Sequence, residues 1–357
     1  MAVLFGLGTN ELAYPDPDAE LLAAAREIRA QVAPGRLRAL VESLPGPRNR
    51  LQAAEAMAEA DALITEAWLA AGWSVARQEL DLRGVWGVRD RPSGDRPGKR
   101  ATRYARLRGA NLIATRAGRE TDAIVVVAHH DTVRSSPGAD DNGAGVAVLI
   151  EAARLLARQP LRRTVVLAAP DFEEIGLIGS RELVRWLQAR HRVRGAIVFD
   201  PIGFMDARPG TQRVPRGIGL LYPAQLARLR DRDFAGDGVV AIHRRRSAGL
   251  ARVWAECAAA LLGRERIFML RDPADLPVVG PLLALALPVA RNFSRSDHRR
   301  FWDAGLPAIH VTNTAEFRNP NYHRPSDLPA TLDYETLADV TAATVLAVER
   351  LAGEFPR

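Results

Sequence analysis

The stretch "AIVVVAHHDTV", residues 123–133, decides the fold. From Ala123 to Ala128 the chain is apolar without a break, and then it turns abruptly to His129, His130 and Asp131. A strand with one wet face alternates apolar and polar residues, so an uninterrupted run of this length predicts a strand covered on both faces. Such strands belong to parallel sheets flanked by helices. The polar ending has its own meaning, because open α/β sheets gather functional groups just beyond the carboxyl ends of their strands.

The same alternation extends on either side. Upstream lies "ANLIAT"; downstream come "GAGVAVLIEAARLLARQ", "TVVLAAP", "SRELVRWLQARH" and "GAIVFD", short apolar runs separated by helical spacing. "LPAIHVTN" (306–313) reads as a late strand and "LDYETLADVTAATVLAVERLAG" as a closing amphipathic helix. The predicted fold is α/β, a three-layer α/β/α sandwich around a mixed, mostly parallel central sheet. We expect a single domain over 1–357. Residues 17–72 form its helical lead-in, broken by Pro and Gly at "APGR" and "LPGPRN". "SVARQELDL" (74–82) alternates like a strand, "RPSGDRPGKR" (91–100) has loop composition, and the less regular 205–295 is expected to face the substrate.

Composition narrows the function. The chain has 357 residues, 47% of them hydrophobic, which is ample for a core. The longest apolar candidate for a membrane span, "VVGPLLALALPVA" (278–290), is short and contains two prolines, so no membrane association is expected. No basic residue precedes Arg26, which leaves a secretory leader without its charged start and makes the cytoplasm the expected location. Cys257 is the only cysteine, so a metal here would be held by His and carboxylates. The net charge of +7 comes from arginines dispersed along the chain, with Lys99 the single lysine. Its densest cluster, "HRRR" at 243–246, has no interleaved aromatics to stack on bases, and no nucleic-acid partner is expected.

Three successive strand ends carry chemistry: His129 to Asp131, then "DFEE" (Asp171 to Glu174), then Asp200. Between the first two lies the tight turn "PGADDNGAG" (137–145) with Asp140 and Asp141; "RNPNYHRPSD" (318–327) brings His323 on a loop. Taken singly, each has an ordinary explanation: a hydrogen-bonded His-x-Asp pair, turn and cap chemistry, exposed glutamates, a strand stop. Together they would crowd carboxylates to a degree that only cations relieve. A set of His, Asp and Glu without Cys suits zinc in a catalytic site, and two ions sharing one carboxylate would use five ligands and leave an acid over. Other templates are missing: there is no H-E-x-x-H, no P-loop lysine and no G-x-S-x-G, and "GAGVAV" lacks the last glycine of a dinucleotide fingerprint.

The segments "AHHDTV", "PGADDNGAGVAVLIEAARLL", "DFEEIGLIGS", "FDPIGF", "SDHRRFWDAGLPAI" and "NPNYHRPSD" resemble those of the co-catalytic di-zinc aminopeptidases, metallopeptidase family twenty-eight, from about Asn111 to Asp327. The resemblance implies the zinc-exopeptidase, phosphorylase/hydrolase-like sandwich and two Zn2+ ions, other divalent ions being possible. One would be held by His129, Asp141 and Asp200, the other by Asp141, Glu174 and His323, with Asp141 bridging. It assigns Glu173 as general base, Asp131 as the acid orienting His129 and Tyr322 as a donor to the tetrahedral intermediate. It also implies an often cis peptide between Asp141 and Asn142. Asp297 and His298 would support the site wall. His130 should face away from His129, since neighbouring strand residues point to opposite sides. His310 is expected in the core, and His191 and His243 have no chemical case. The implied activity is hydrolysis of N-terminal peptide bonds in a peptide substrate. The alternatives are a carboxypeptidase, a dipeptidase or an N-acyl amino-acid deacylase at the same site, and more remotely a non-catalytic binding homologue. Glutaminyl cyclases share the fold but typically work with one zinc. No oligomeric state follows from the sequence.

Overall fold

The computed structural model describes residues 14–90, 99–276, 278, 280, 282 and 286–353. The N-terminal stretch before Tyr14, most of the 91–100 loop and parts of the apolar run at 278–290 lie outside them. Helices α1 (Ala19–Ala30), α2 (Pro34–Ser43) and α3 (Ala54–Ala70) lead into a sheet of eight strands. These are β1 (Ser74–Asp90), β2 (Lys99–Arg116), β3 (Glu120–Val127), β4 (Arg163–Ala169), β5 (Arg192–Phe199), β6 (Val239–His243), β7 (Ile267–Arg271) and β8 (Ala308–Thr312). Between and after them come α4 (Gly145–Leu156), α5 (Ile178–Gln188), α6 (Ala248–Leu262), α7 (His298–Asp303) and α8 (Tyr334–Ala352). Spatially the strands run β1-β2-β4-β3-β5-β8-β6-β7. The central β4, β3, β5 and β8 are mutually parallel, while β1, β2 and β6 introduce antiparallel pairs, so the sheet is mixed as expected.

The apolar runs do separate into two faces. Ile124 and Val126 of β3, Val165 and Leu167 of β4, and Ile197 and Phe199 of β5 join the core beneath α1 to α4, α6 and α8. Their neighbours Val125, Val127, Val166, Ala168, Ala196 and Val198 join a second core with α5 and α7. That is the third layer. Each fully buried Val or Ile contributes roughly 1.5–3 kcal/mol, and on these strands both faces collect it. A one-residue slip of β3 would therefore keep apolar groups on both faces, and face polarity alone does not set its register. The polar end does: a slip would exchange His129 with His130.

Two features go beyond the sequence reading. Within the segment 205–295, expected to face the substrate, β6 and β7 extend the sheet beyond β8 and α6 packs beneath it, while residues such as Gln212, Val240 and Phe268 line the cavity. The first hairpin also runs much further than residues 74–82. β1 and β2 pair from Ser74 opposite Thr115 out to Asp90 opposite Lys99, yet β4 engages only Leu112 to Arg116. Leu112 pairs with Ala169 at the carboxyl end of β4, so everything earlier in β2 overhangs the edge where the parallel strands end. This arm rests on the loop after β4: Leu80 and Leu107 pack on Phe172 and Ile178, and the Val88 amide donates to the Ile175 carbonyl at 2.8 Å. Gly87 permits that approach, since a Cβ there would lie 2.3 Å from the Ile175 oxygen. Among the described residues no helix is long and apolar enough to cross a membrane.

Candidate metal centre

Four strand ends converge on one point. β3 delivers His129, the loop after β4 delivers Glu173 and Glu174, β5 runs into Asp200, and the loops before α4 and after β8 bring Asp141 and His323. His129 Nε2 lies 3.2 Å from Asp141 Oδ1 and 3.5 Å from Asp200 Oδ1. His323 Nε2 lies 3.0 Å from Asp141 Oδ2 and 3.4 Å from Glu174 Oε1. All five expected ligands are thus brought together as two three-residue groups that share Asp141, with the donor atoms of each group within 4.8 Å of one another.

The fit of a cation to this cage rests on unmet polar atoms. His129 Nε2, Asp141 Oδ1 and His323 Nε2 are buried and take part in no hydrogen bond. Leaving such groups unpaired costs about 1–3 kcal/mol each, so their convergence on a common point suits a dication. In the metal-free chain the imbalance falls on the imidazoles. Burial pulls His323 down, but Glu174 and Asp141 outweigh it and raise its pKa to about 10. Burial likewise opposes protonation of His129, while Glu173, Asp131, Asp141 and Asp200 hold it well above the ordinary value. Glu173 sits well above the usual carboxyl range because it is buried and faces Asp200, Glu174 and Asp297.

The chain fixes its ligands from behind. His129 Nδ1 lies 3.0 Å from the main-chain oxygen of Asp131, which sets the tautomer so that Nε2 faces the cage. The Asp131 carboxylate, expected to orient that ring, lies 3.6 Å from the same nitrogen and also accepts from the amides of Glu173 and Glu174, at 3.1 and 3.2 Å. It therefore positions the glutamate pair. The Asp141–Asn142 peptide is cis. Asp327 accepts from the amides of Asp140 and Asp141, and the buried Asp140 carboxylate receives Gly203, Phe204, Asn313 and Asn319. Arg48, 1% exposed, donates to the carbonyls of His130, Pro137 and Gly138 at 2.9, 2.8 and 3.0 Å. It thereby ties the lead-in to both ligand-bearing turns.

The remaining expected residues are placed as follows. His130 turns away from the cage, its ring nitrogens 3.0 Å from the Pro170 carbonyl and 2.9 Å from Asp61. Tyr322 stacks on His323 with ring centroids 3.8 Å apart, and burial together with Asp141 keeps its hydroxyl protonated. Asp297 is buried, and desolvation together with the nearby acids raises its pKa to about 7. His298 bonds the Phe293 carbonyl at 2.8 Å and stacks on His310. His310 is in the core but not idle, since its Nε2 lies 2.7 Å from the Asp200 carbonyl. Arg48 and Asp327 had no functional reading in the sequence, because their partners here are main-chain atoms, and Asp140 was read only as one of the acids at the turn that enters the site. In front of the cage opens a cavity of about 700 Å3, whose walls include Glu173, Asp200, Tyr322, Gln212 and Phe268.

Comparison with known proteins bears on the family and the fold. The sequence pattern of peptidase family M28 matches residues 111–221 and 283–348. The uncharacterized protein YfbL of Escherichia coli K12 is 30% identical over 248 residues, covering 66% of this chain and 69% of that one. Among solved structures, BSAP, a zinc aminopeptidase from Bacillus subtilis, superposes with a TM-score of 0.65 at 15% identity over 91% of this chain and 96% of that one. Porphyromonas gingivalis glutaminyl cyclase superposes with a TM-score of 0.61 at 18% identity, over 90% and 99%. At these identities the superpositions speak for the fold.

Proposed function

The chain belongs to peptidase family M28, and from that premise we propose that it is a zinc metallopeptidase of the aminopeptidase type, releasing the first residue of a peptide at a two-ion centre. The observation that supports this most directly is the pair of ligand groups joined through Asp141. His129, Asp141 and Asp200 would hold one ion, and Asp141, Glu174 and His323 the other. Bound there, zinc supplies Lewis acidity, polarising the scissile carbonyl and making water more acidic.

The chain's own groups perform the rest. Glu173 is anchored through its amide to Asp131, adjacent to the ligand Glu174 yet in neither ligand group. Its carboxylate takes a proton from the attacking water and returns it to the leaving amine nitrogen. The Tyr322 hydroxyl, kept protonated, donates to the oxyanion that develops on the former carbonyl. Asp131 and Arg48 hold the two turns so that these groups need not reorganise during the reaction.

A fold shared with a glutaminyl cyclase does not separate the two chemistries, whereas a second group of ligands favours two-ion hydrolysis. The test is metal analysis of the purified protein followed by a panel of free and N-blocked aminoacyl amides. Two equivalents of zinc with cleavage of only the free-amine substrates is the expected result. Cleavage of the blocked amides would make the protein a deacylase instead.

A further inference from the structure

The cavity in front of the cage is lined by seven arginines, four of which pair with carboxylates of the protein. Arg244 pairs with Asp272 at 2.8 Å, Arg295 with Glu316, and Arg299 and Arg300 with Asp303. Arg291 is exposed to solvent. Arg318 differs in being buried, and Arg213, exposed like Arg291, stands beside it. Among the described residues neither forms an ion pair with a carboxylate. Arg213 donates to the Glu316 carbonyl; Arg318 donates to Gln212 Oε1 at 2.9 Å and to Met205 Sδ at 3.0 Å.

Arg318 is only 6% exposed, so its charge has been taken out of water with neutral partners alone. That is costly unless an anion arrives to match it. Desolvation lowers its pKa to about 9, with Asp237 and Asp140 acting only at a distance. Arg318 makes no direct pair with Asp140, whose oxygens accept from Gly203, Phe204, Asn313 and Asn319, so those two charges act on each other only through space. The two arginines stand on one wall. The Arg213 amide donates to the Phe317 carbonyl at 2.8 Å, and Gln212 bonds both Arg318 and Thr314, which fixes the fork of Arg318 in place. The wall adjoins the cage, since Gln212, Arg213, Thr314 and Arg318 line the same cavity as Asp141, Asp200 and Tyr322.

We infer that Arg318 and Arg213 form an anion subsite for the side chain of the substrate's first residue, so that the preferred substrates are peptides beginning with Glu or Asp. This rests on the aminopeptidase reading: if the amino terminus is held at the cage, the rest of the peptide must leave toward solvent, and the first side chain is the one that enters the cavity. A guanidinium fixed by Gln212 meets a carboxylate in its fork, while the apolar wall at Val240, Ile242 and Phe268 accommodates the methylenes.

The test uses the zinc-loaded full chain and two ligands that differ by one charge, L-glutamate and L-glutamine. Calorimetry should show glutamate binding about 10- to 100-fold tighter, the range for one charge-assisted hydrogen-bonded pair. The kcat/KM ratio for the Glu and Gln aminoacyl amides should follow it. In Arg318→Gln the glutamate preference should collapse toward one, and Arg318→Lys should restore part of it. Arg213→Gln, at an exposed position, reads the same subsite if the buried variant fails to fold. Equal affinities in the unsubstituted protein, or a preference that survives both Gln variants, would overturn the inference. Cleavage of Leu amides without any glutamate preference would overturn it and leave the aminopeptidase reading standing. Glutamate preference without cleavage of any free-amine substrate would support the subsite and sink that reading.

Discussion

Adding zinc to the metal-free chain should expel protons, and their number follows from the cage. Zinc takes a neutral imidazole nitrogen, yet His323 stands at about 10 and His129 well above its ordinary value. A group with a raised pKa stays protonated until the pH passes that value. At about pH 7, then, roughly one His323 in 10³ is neutral, which weakens apparent zinc affinity by about 4 kcal/mol through that residue alone. The affinity for each ion must rise with pH, by about 10-fold per unit while its own imidazole is charged, and the rise at the His323 site levels off near pH 10. Calorimetry near pH 7 in two buffers of different ionisation enthalpy counts the protons directly. Two or more are expected, since Glu173 also carries a raised pKa in the metal-free chain and adds to the count as the ions arrive. Release of less than one proton, or zinc affinity that does not change with pH, would mean that the imidazoles are neutral without metal and that the carboxylates around them are balanced some other way.

Three substitutions probe the neighbours of the cage. Glu173→Ala should keep its zinc and lose turnover by roughly 10²–10⁴; loss of metal with unaltered turnover per bound ion would remove the base assignment. Tyr322→Phe should lower kcat by about 10² with zinc content unchanged, and undiminished kcat would reduce that ring to its stacking on His323. Arg48→Met leaves the carbonyls of His130, Pro137 and Gly138 without their donor and should cost about 3 kcal/mol of stability. Urea unfolding of the metal-free protein measures this, and an unshifted midpoint at constant slope would show those carbonyls to be satisfied otherwise.

What could be read in advance followed from where burial is two-sided. β3, β4 and β5 are legible because helices cover both faces and leave uninterrupted apolar runs, and the ligands are legible because polarity there is abrupt. The outer part of the β1–β2 arm is not. Its Arg83, Arg89, Arg103 and Arg106 are exposed and its contacts run to one loop, so no apolar pattern marks it as strand. β7 has only five residues, "IFMLR", too few for periodicity to separate strand from helix. Asp131 carries a subtler limit. Its importance was visible, but the division of labour between its carbonyl and its carboxylate depends on main-chain geometry that residue identity does not encode.

The hydrogen bonds around Asp140, Asp327 and Arg48 run from protein to protein and do not pass through the ions. The receptacle is consequently built before it is filled. Exhaustive chelation should leave a compact, cooperatively folding chain that regains activity within the time of mixing, with no refolding step. Which dication occupies it in a given surrounding then becomes a question of supply as much as of preference, and exchange of the metal-free chain into cobalt or manganese should yield a charged form without refolding.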